Sequence, residues 1–177
     1  KNISAIFQEP MTSLNPLHTI EKQVNEILMI HSSISYSDAT EKTKKLLDQV
    51  GLQNISNRIK AYPYELSGGQ RQRVMIAMSI ANNPDLLLAD EPTTALDVTV
   101  QSQILDLIKD LQQKMNMSIL FISHDLGVVE HLSDRVDIMY LGRVVEVAPT
   151  ELLFKEPNQP YRKQYSLRNQ SCDGNHT

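Results

Sequence analysis

The stretch Leu66-Ser67-Gly68-Gly69-Gln70-Arg71-Gln72-Arg73, followed further on by Leu86-Leu87-Leu88-Ala89-Asp90-Glu91-Pro92-Thr93-Thr94-Ala95-Leu96-Asp97, decides the fold of this chain. The first part reads as a turn that exposes backbone N–H groups. Gly68 and Gly69 are expected in backbone conformations closed to other residues, no side chain blocks a ligand there, and Ser67 adds a hydroxyl donor. From Gln70 onward Val74, Ala77, Met78 and Ala81 recur at helical spacing, so the turn opens a helix whose positive N-terminal end suits phosphate. In the second part, four apolar residues run directly into two carboxylates. A buried parallel strand delivers side chains in this way to the ligand-binding edge of an α/β sheet. Successive strand residues point to opposite sides, so Asp90 and Glu91 are able to divide the work. One would hold Mg²⁺, directly or through water, and the other would polarise an attacking water. Pro92 ends the strand.

With 177 residues, 41% hydrophobic and 21% charged, the chain has the size and make-up of one globular domain or a large part of one. A net charge of −4, with the basic residues scattered, gives no pull toward nucleic acid or anionic lipid. The single cysteine, Cys172, lies in a polar tail without a thiol to pair with, which fits a reducing compartment. The apolar runs near Leu86 and Ile119 are far too short to span a bilayer, so a membrane role would come through a partner. The chain opens at Lys1, already within a strand-like Ile3-Ser4-Ala5-Ile6-Phe7, and is expected to be a fragment.

After Phe7 the run from Gln8 to Leu17, bracketed by Pro10 and Pro16, reads as a loop. Ile20, Val24, Ile27, Leu28 and His31 then mark one helical face, and Ala39, Thr43, Leu46, Leu47 and Val50 another. Asp38 followed by Glu41 offers a capping-box variant, and Gly51 a C-terminal stop. Beyond the acidic strand, Ile104, Leu107, Ile108, Leu111 and Met115 predict an amphipathic helix, and Ser118 to Ile122 a strand. That alternation means βαβ units and a parallel sheet. Ser123-His124-Asp125 stands at the carboxyl end of this strand, where open α/β sheets place their chemistry. A short helix and a hairpin of strands over 136–140 and 143–147, turning at Leu141-Gly142, complete the pattern. His18, His31, His131 and His176 lie in no such setting.

Taken together, the glycine turn and the acidic strand end resemble the signature and Walker B segments of ABC transporter ATPases. Ala95-Leu96-Asp97 is similar to the D-loop that follows them. The resemblance covers residues 3–167 and implies an α/β, P-loop NTPase-like fold: an ABC ATPase domain with a parallel-sheet core and a helical subdomain, its N-terminal part missing. Residues 1–167 would form this partial domain, with 10–64 the mostly helical subdomain, and 168–177 a disordered polar tail.

The same resemblance implies ATP and Mg²⁺ as cofactors and assigns the site. Glu91 is the general base or water-orienting carboxylate, with Asp90 beside it for Mg²⁺. Gln8 is similar to the Q-loop glutamine, whose amide contacts metal and attacking water while the loop after it senses a membrane subunit. His124 resembles the switch histidine that donates to the γ-phosphate. Ser67, Gly68, Gly69 and Gln70 would cap nucleotide held by a second ATPase domain in a head-to-tail dimer, with Asp97 of the D-loop nearby. Ser123 stands where the family usually has threonine, and keeps the hydroxyl. No Gly-x-x-x-x-Gly-Lys-Ser/Thr occurs anywhere in the chain, so the phosphate cradle is absent and the chain alone is expected to be inactive.

Phe7 to Pro16, Tyr62-Pro63-Tyr64-Glu65-Leu66, Thr93 to Thr99 and Glu156-Pro157-Asn158-Gln159-Pro160-Tyr161 look like the dipeptide and oligopeptide importer branch, with Gln159 in place of its usual histidine. This implies an ATPase subunit at the cytoplasmic face of the plasma membrane. It would be held there by two transmembrane permease subunits and fed indirectly by a substrate-binding protein. Two alternatives stand beside it. A soluble ABC ATPase acting on chromosomes or ribosomes would carry long coiled coils or basic linkers, and no such run is present. A catalytically dead remnant would explain the missing cradle, against which stand the intact Gln8, Glu91 and His124.

Overall fold

A computed structural model of the chain describes residues 2–8, 13–94 and 96–155. Strands β1 (Ile3–Ile6), β2 (Leu86–Asp90) and β3 (Ser118–Ile122) form a parallel sheet in the order β1-β2-β3. Ile6, Ala89 and Phe121 stand abreast, as do Ala5, Leu88 and Leu120, so each level shares a face. One face is core, with Ile6, Leu87 and Ala89 at most 1% exposed. On the other, Ile3, Leu120 and Ile122 are exposed.

Between β1 and the glycine turn lie helices α1 (Ile20–Ile30), α2 (Tyr36–Gln49) and α3 (Gln53–Ser56), then a 3₁₀ turn over Pro63–Glu65. The loop entering α1 is pinned by Gln23, which accepts from the Asn15 N–H at 2.8 Å and donates to the His18 carbonyl at 2.9 Å. Thr43 and Asn25, both fully buried between α1 and α2, satisfy each other through a 2.6 Å hydrogen bond. Asn25 then donates to Thr40 and Thr40 to Glu21, a chain that sets the register of the two helices.

The start of α2 differs from the expected Asp38–Glu41 cap. Ser35 is the N-cap: its extended backbone places Oγ where it accepts from the Asp38 N–H and donates to the Asp38 carboxylate. Glu41 pairs with Lys44 instead. At the other end Gly51 has φ +76°, with its N–H on the Asp48 carbonyl and the Leu52 N–H on that of Leu47. This is the left-handed stop expected of Gly51.

Helix α4 (Gly68–Ile80) occupies the centre, buried on nearly every side by Gln72, Val74, Met75, Ile76, Ala77, Ser79 and Ile80. Helix α5 (Val98–Met115) buries Ile104, Leu105, Ile108 and Leu111 on one face and stops at Asn116 in a left-handed conformation.

The described residues from Asp125 onward, 125–155, belong to a second compact unit. Within it, Asp125 caps helix α6 (Leu126–Leu132), and β4 (Arg135–Tyr140) pairs antiparallel with β5 (Arg143–Pro149). Leu141 and Gly142, at φ +48° and +75°, make the two-residue left-handed turn that suits a twisted hairpin. Helix α7 (Thr150–Lys155) follows without a counterpart in the sequence reading. The loop residues 9–12, the element at 156–161 and the tail with Cys172 lie outside the described residues.

Candidate functional site

Because β1, β2 and β3 are adjacent and parallel, their carboxyl ends finish along one edge, about 4.8 Å apart from strand to strand. Gln8 follows β1, Glu91 follows β2 and His124 follows β3. Their side chains meet on one carboxylate. Gln8 Nε2 donates to Glu91 Oε2 at 2.9 Å, and His124 Nδ1 lies 2.9 Å from Glu91 Oε1. Facing an ionised carboxylate, Nδ1 carries the hydrogen.

A fourth group joins them. Thr94 Oγ1 donates to Glu91 Oε2 at 2.9 Å, and the Thr94 N–H reaches the Glu91 carbonyl at 3.1 Å, closing a turn around Pro92 and Thr93. The sequence reading passed over Thr94. The usable signal was a hydroxyl placed three residues after a carboxylate in a proline-containing turn.

The turn itself explains how Glu91 is aimed. Strand pleating ends at Asp90, and Glu91 has φ +45°, a left-handed conformation unfavourable for a residue with a Cβ. Its N–H still reaches the Ile122 carbonyl at 3.0 Å, so the backbone is clamped to β3 while the side chain swings toward Gln8 and His124. The strand alternation expected to separate Asp90 from Glu91 is thus replaced by a backbone reversal. The His124 imidazole, then the Thr94 hydroxyl and the Gln8 amide, hold the Glu91 carboxyl below the usual carboxylate range, against the partial burial that pushes it up. Asp90, the last residue of β2, pairs with Ile122 and is half-buried.

At the glycine turn the geometry departs from expectation. Gly68 and Gly69 have ordinary helical backbones as the first residues of α4; among the described residues the positive-φ glycines are Gly51 and Gly142. At Gly69 space demands glycine, since a Cβ there would fall 2.7 Å from Val100 Cγ1, whereas one on Gly68 would make an ordinary contact at 3.7 Å from Leu96 Cδ2. Ser67 is the N-cap, accepting from the Gln70 N–H, while Gln70 Oε1 accepts from the Ser67 N–H at 2.9 Å. Asp97 in turn caps α5 by accepting from the Val100 N–H at 2.9 Å. Among the described residues no hydrogen bond joins this turn to the Glu91 cluster, so the predicted residues fall into two groups. Among the described residues, too, no helix is long and apolar enough to cross a membrane.

A parallel α/β sheet with polar groups gathered at its carboxyl edge is the class of architecture that binds its ligand at that edge. Residues 1–94 match the sequence profile of the family described as ABC transporter, and the chain belongs to that family. It is 58% identical over 162 residues to the peptidoglycan transport ATP-binding protein YejF of Agrobacterium fabrum, covering 92% of this chain and 30% of that protein. Against the oligopeptide transport ATP-binding protein OppD of Bacillus subtilis the identity is 53%, over 91% of this chain and 45% of the relative. The glutathione import ATP-binding protein GsiA of Salmonella typhimurium is 51% identical over 90% of this chain and 26% of its own length. The chain therefore spans less than half the length of these curated relatives.

In three dimensions it is similar to the ATP-binding cassette MJ0796 in a dimeric post-hydrolysis state bound to ADP and Pi. The TM-score is 0.72 at 30% identity, over 85% of this chain and 63% of that one.

Proposed function

We propose that the full-length protein is the ATP-hydrolysing subunit of an importer for peptides or related small solutes, and that this chain contributes its hydrolytic edge and its signature turn. The observation that carries this reading is the Glu91 carboxylate held between Gln8 and His124 at the ends of three parallel strands. The solute class is supported by the relatives, whose names specify peptidoglycan, oligopeptide and glutathione transport. In this reading residues 1–167 belong to one ATPase domain, with 10–64 its helical subdomain.

Glu91 is the base that orients and deprotonates the attacking water. A carboxylate offers about four acceptor positions. Gln8 and Thr94 occupy Oε2 and His124 takes one position on Oε1, which leaves the second position on Oε1 for water. His124 Nδ1 lies on Glu91 Oε1, so a turn of the ring toward the γ-phosphate would free Oε1 further. Gln8 behaves similarly: its amide nitrogen holds Glu91, while its carbonyl oxygen remains an acceptor. The donor set fits Mg²⁺, which prefers oxygen ligands and takes few from protein: Asp90 and the Gln8 oxygen would hold it. When bound, the ion neutralises charge on the phosphate oxygens.

Ser67 to Gln70 of one copy cap ATP held by a second ATPase domain; that a second domain takes part is supported by the dimeric state of MJ0796. Two transmembrane permease subunits, holding the ATPase at the cytoplasmic face of the membrane, are the further partners, with a substrate-binding protein acting through them.

The test uses the full-length protein carrying the Gly-x-x-x-x-Gly-Lys-Ser/Thr loop that this sequence lacks. Glu91→Gln should lower ATP turnover by about two to four orders of magnitude while the ATP-bound dimer accumulates on size-exclusion chromatography. Asp90→Asn should instead weaken Mg-ATP binding. Parental turnover by Glu91→Gln would overturn the assignment.

A further inference from the structure

Thr94 is bonded to the base in a way that neither Gln8 nor His124 can match. Those two reach Glu91 from other strands, across sequence separations of 83 and 33 residues, and both have substrate-facing work under the proposed function. Thr94 lies three residues away in the same turn. Its N–H closes that turn on the Glu91 carbonyl and its hydroxyl holds Oε2, so backbone and side chain of Glu91 are fixed by one residue. The left-handed backbone of Glu91 needs such restraint, because a conformation of this kind persists only where the surroundings over-determine it.

From this geometry we infer that Thr94 is a positioning residue for Glu91: it holds Oε2 and turns Oε1 toward the attacking water throughout the cycle. This inference rests on the proposed ATPase reading. When His124 turns to phosphate and the Gln8 amide is shared with metal or water, the Thr94 bond is the one that serves Glu91 alone. Without it the carboxylate rotates about its terminal torsion, which has a broad and shallow profile. The water then loses its fixed line of attack, and alignment of that kind is worth a large factor in rate. Thr94 touches neither nucleotide nor metal in this scheme, so ATP binding is untouched.

The experiment compares Thr94→Val, which keeps the shape and removes the hydroxyl, with Thr94→Ser, which keeps the hydroxyl, in the full-length protein with its phosphate-binding loop. Thr94→Val should lower kcat for ATP about tenfold or more with KM within about twofold of parental, and Thr94→Ser should restore most of the rate. Thr94→Ala, with thermal unfolding measured for all three, guards against a folding defect in the valine variant. In the Glu91→Gln background, Thr94→Val should cause no further loss, because the residue acts through the carboxylate. Parental kcat for both Thr94→Val and Thr94→Ala, equal losses for valine and serine, or a full additional loss in the Glu91→Gln background would overturn the inference while leaving the ATPase reading intact. Parental turnover by Glu91→Gln alone would overturn both.

Discussion

Arg73 of α4 donates a 2.8 Å hydrogen bond to the carbonyl of Val50, the residue that caps α2. A guanidinium at a helix C-terminus satisfies an orphan carbonyl and sits at the negative end of the helix dipole. Helix α4 is thereby fastened to the helical hairpin, and Gly51 makes room for the contact.

A Cβ on Gly51 would lie 3.1 Å from Arg73 Nη1, on a residue whose φ is +76°. Gly51→Ala should therefore cost about 1–2 kcal/mol from the left-handed backbone alone, with the displaced Arg73 adding to it. The midpoint of urea unfolding measures this. An unchanged midpoint would show that the backbone at Gly51 relaxes without cost.

Gly69 sets a steric test of a different kind. Alanine is normally the better helix former by about 1 kcal/mol, yet here its methyl would meet Val100 Cγ1 on a side chain with little rotamer freedom. Gly69→Ala should destabilise by about 1–3 kcal/mol, and Val100→Ala in the same protein should recover most of the loss. Simple additivity of the two changes in unfolding free energy would place the crowding elsewhere.

Ser67 has two separable tasks. As N-cap it holds α4, so Ser67→Ala should cost about 1 kcal/mol. Aspartate caps a helix as well as serine does, but it sets a negative charge where the proposed dimer would bring phosphate. Ser67→Asp should keep parental thermal stability and monomer nucleotide affinity while abolishing ATP-driven dimerisation, read by light scattering. Dimerisation at the parental level would contradict the capping of nucleotide in trans.

Gln72 is 1% exposed, and neither its amide nitrogen nor its amide oxygen has a protein hydrogen-bond partner among the described residues. Burying an amide so poorly satisfied costs free energy that an apolar side chain of similar length avoids. Gln72→Met should stabilise the protein by about 1–2 kcal/mol in denaturant titration. A loss of stability would show that the amide is satisfied in solution.

The sequence by itself determined the local elements and the chemistry on offer. Apolar spacing marked α1, α2, α4 and α5, short apolar runs marked the strands, and Leu141-Gly142 marked the hairpin turn, because each signal depends on residues close in the chain. The Asp90-Glu91 pair at the end of an apolar run singled out Glu91, and the resemblance to ABC ATPases added Gln8 and His124 as candidates. Where neighbouring signals competed, local reading failed: Ser35 rather than Asp38 caps α2, and α7 carried too short a pattern to be seen.

Tertiary structure alone decided what those residues do to one another. A hydrogen bond between Gln8 and Glu91 requires β1 and β2 to pair across 83 residues, and a bond from His124 requires β3 on the other side of β2; strand order is a property of the packed sheet, which no local periodicity encodes. The left-handed backbone of Glu91, the hold of Thr94 on its carboxylate and the crowding of Gly69 by Val100 arise in the same way. Each is a contact distance or a dihedral angle set by the surrounding packing, and becomes defined only when the elements are brought together.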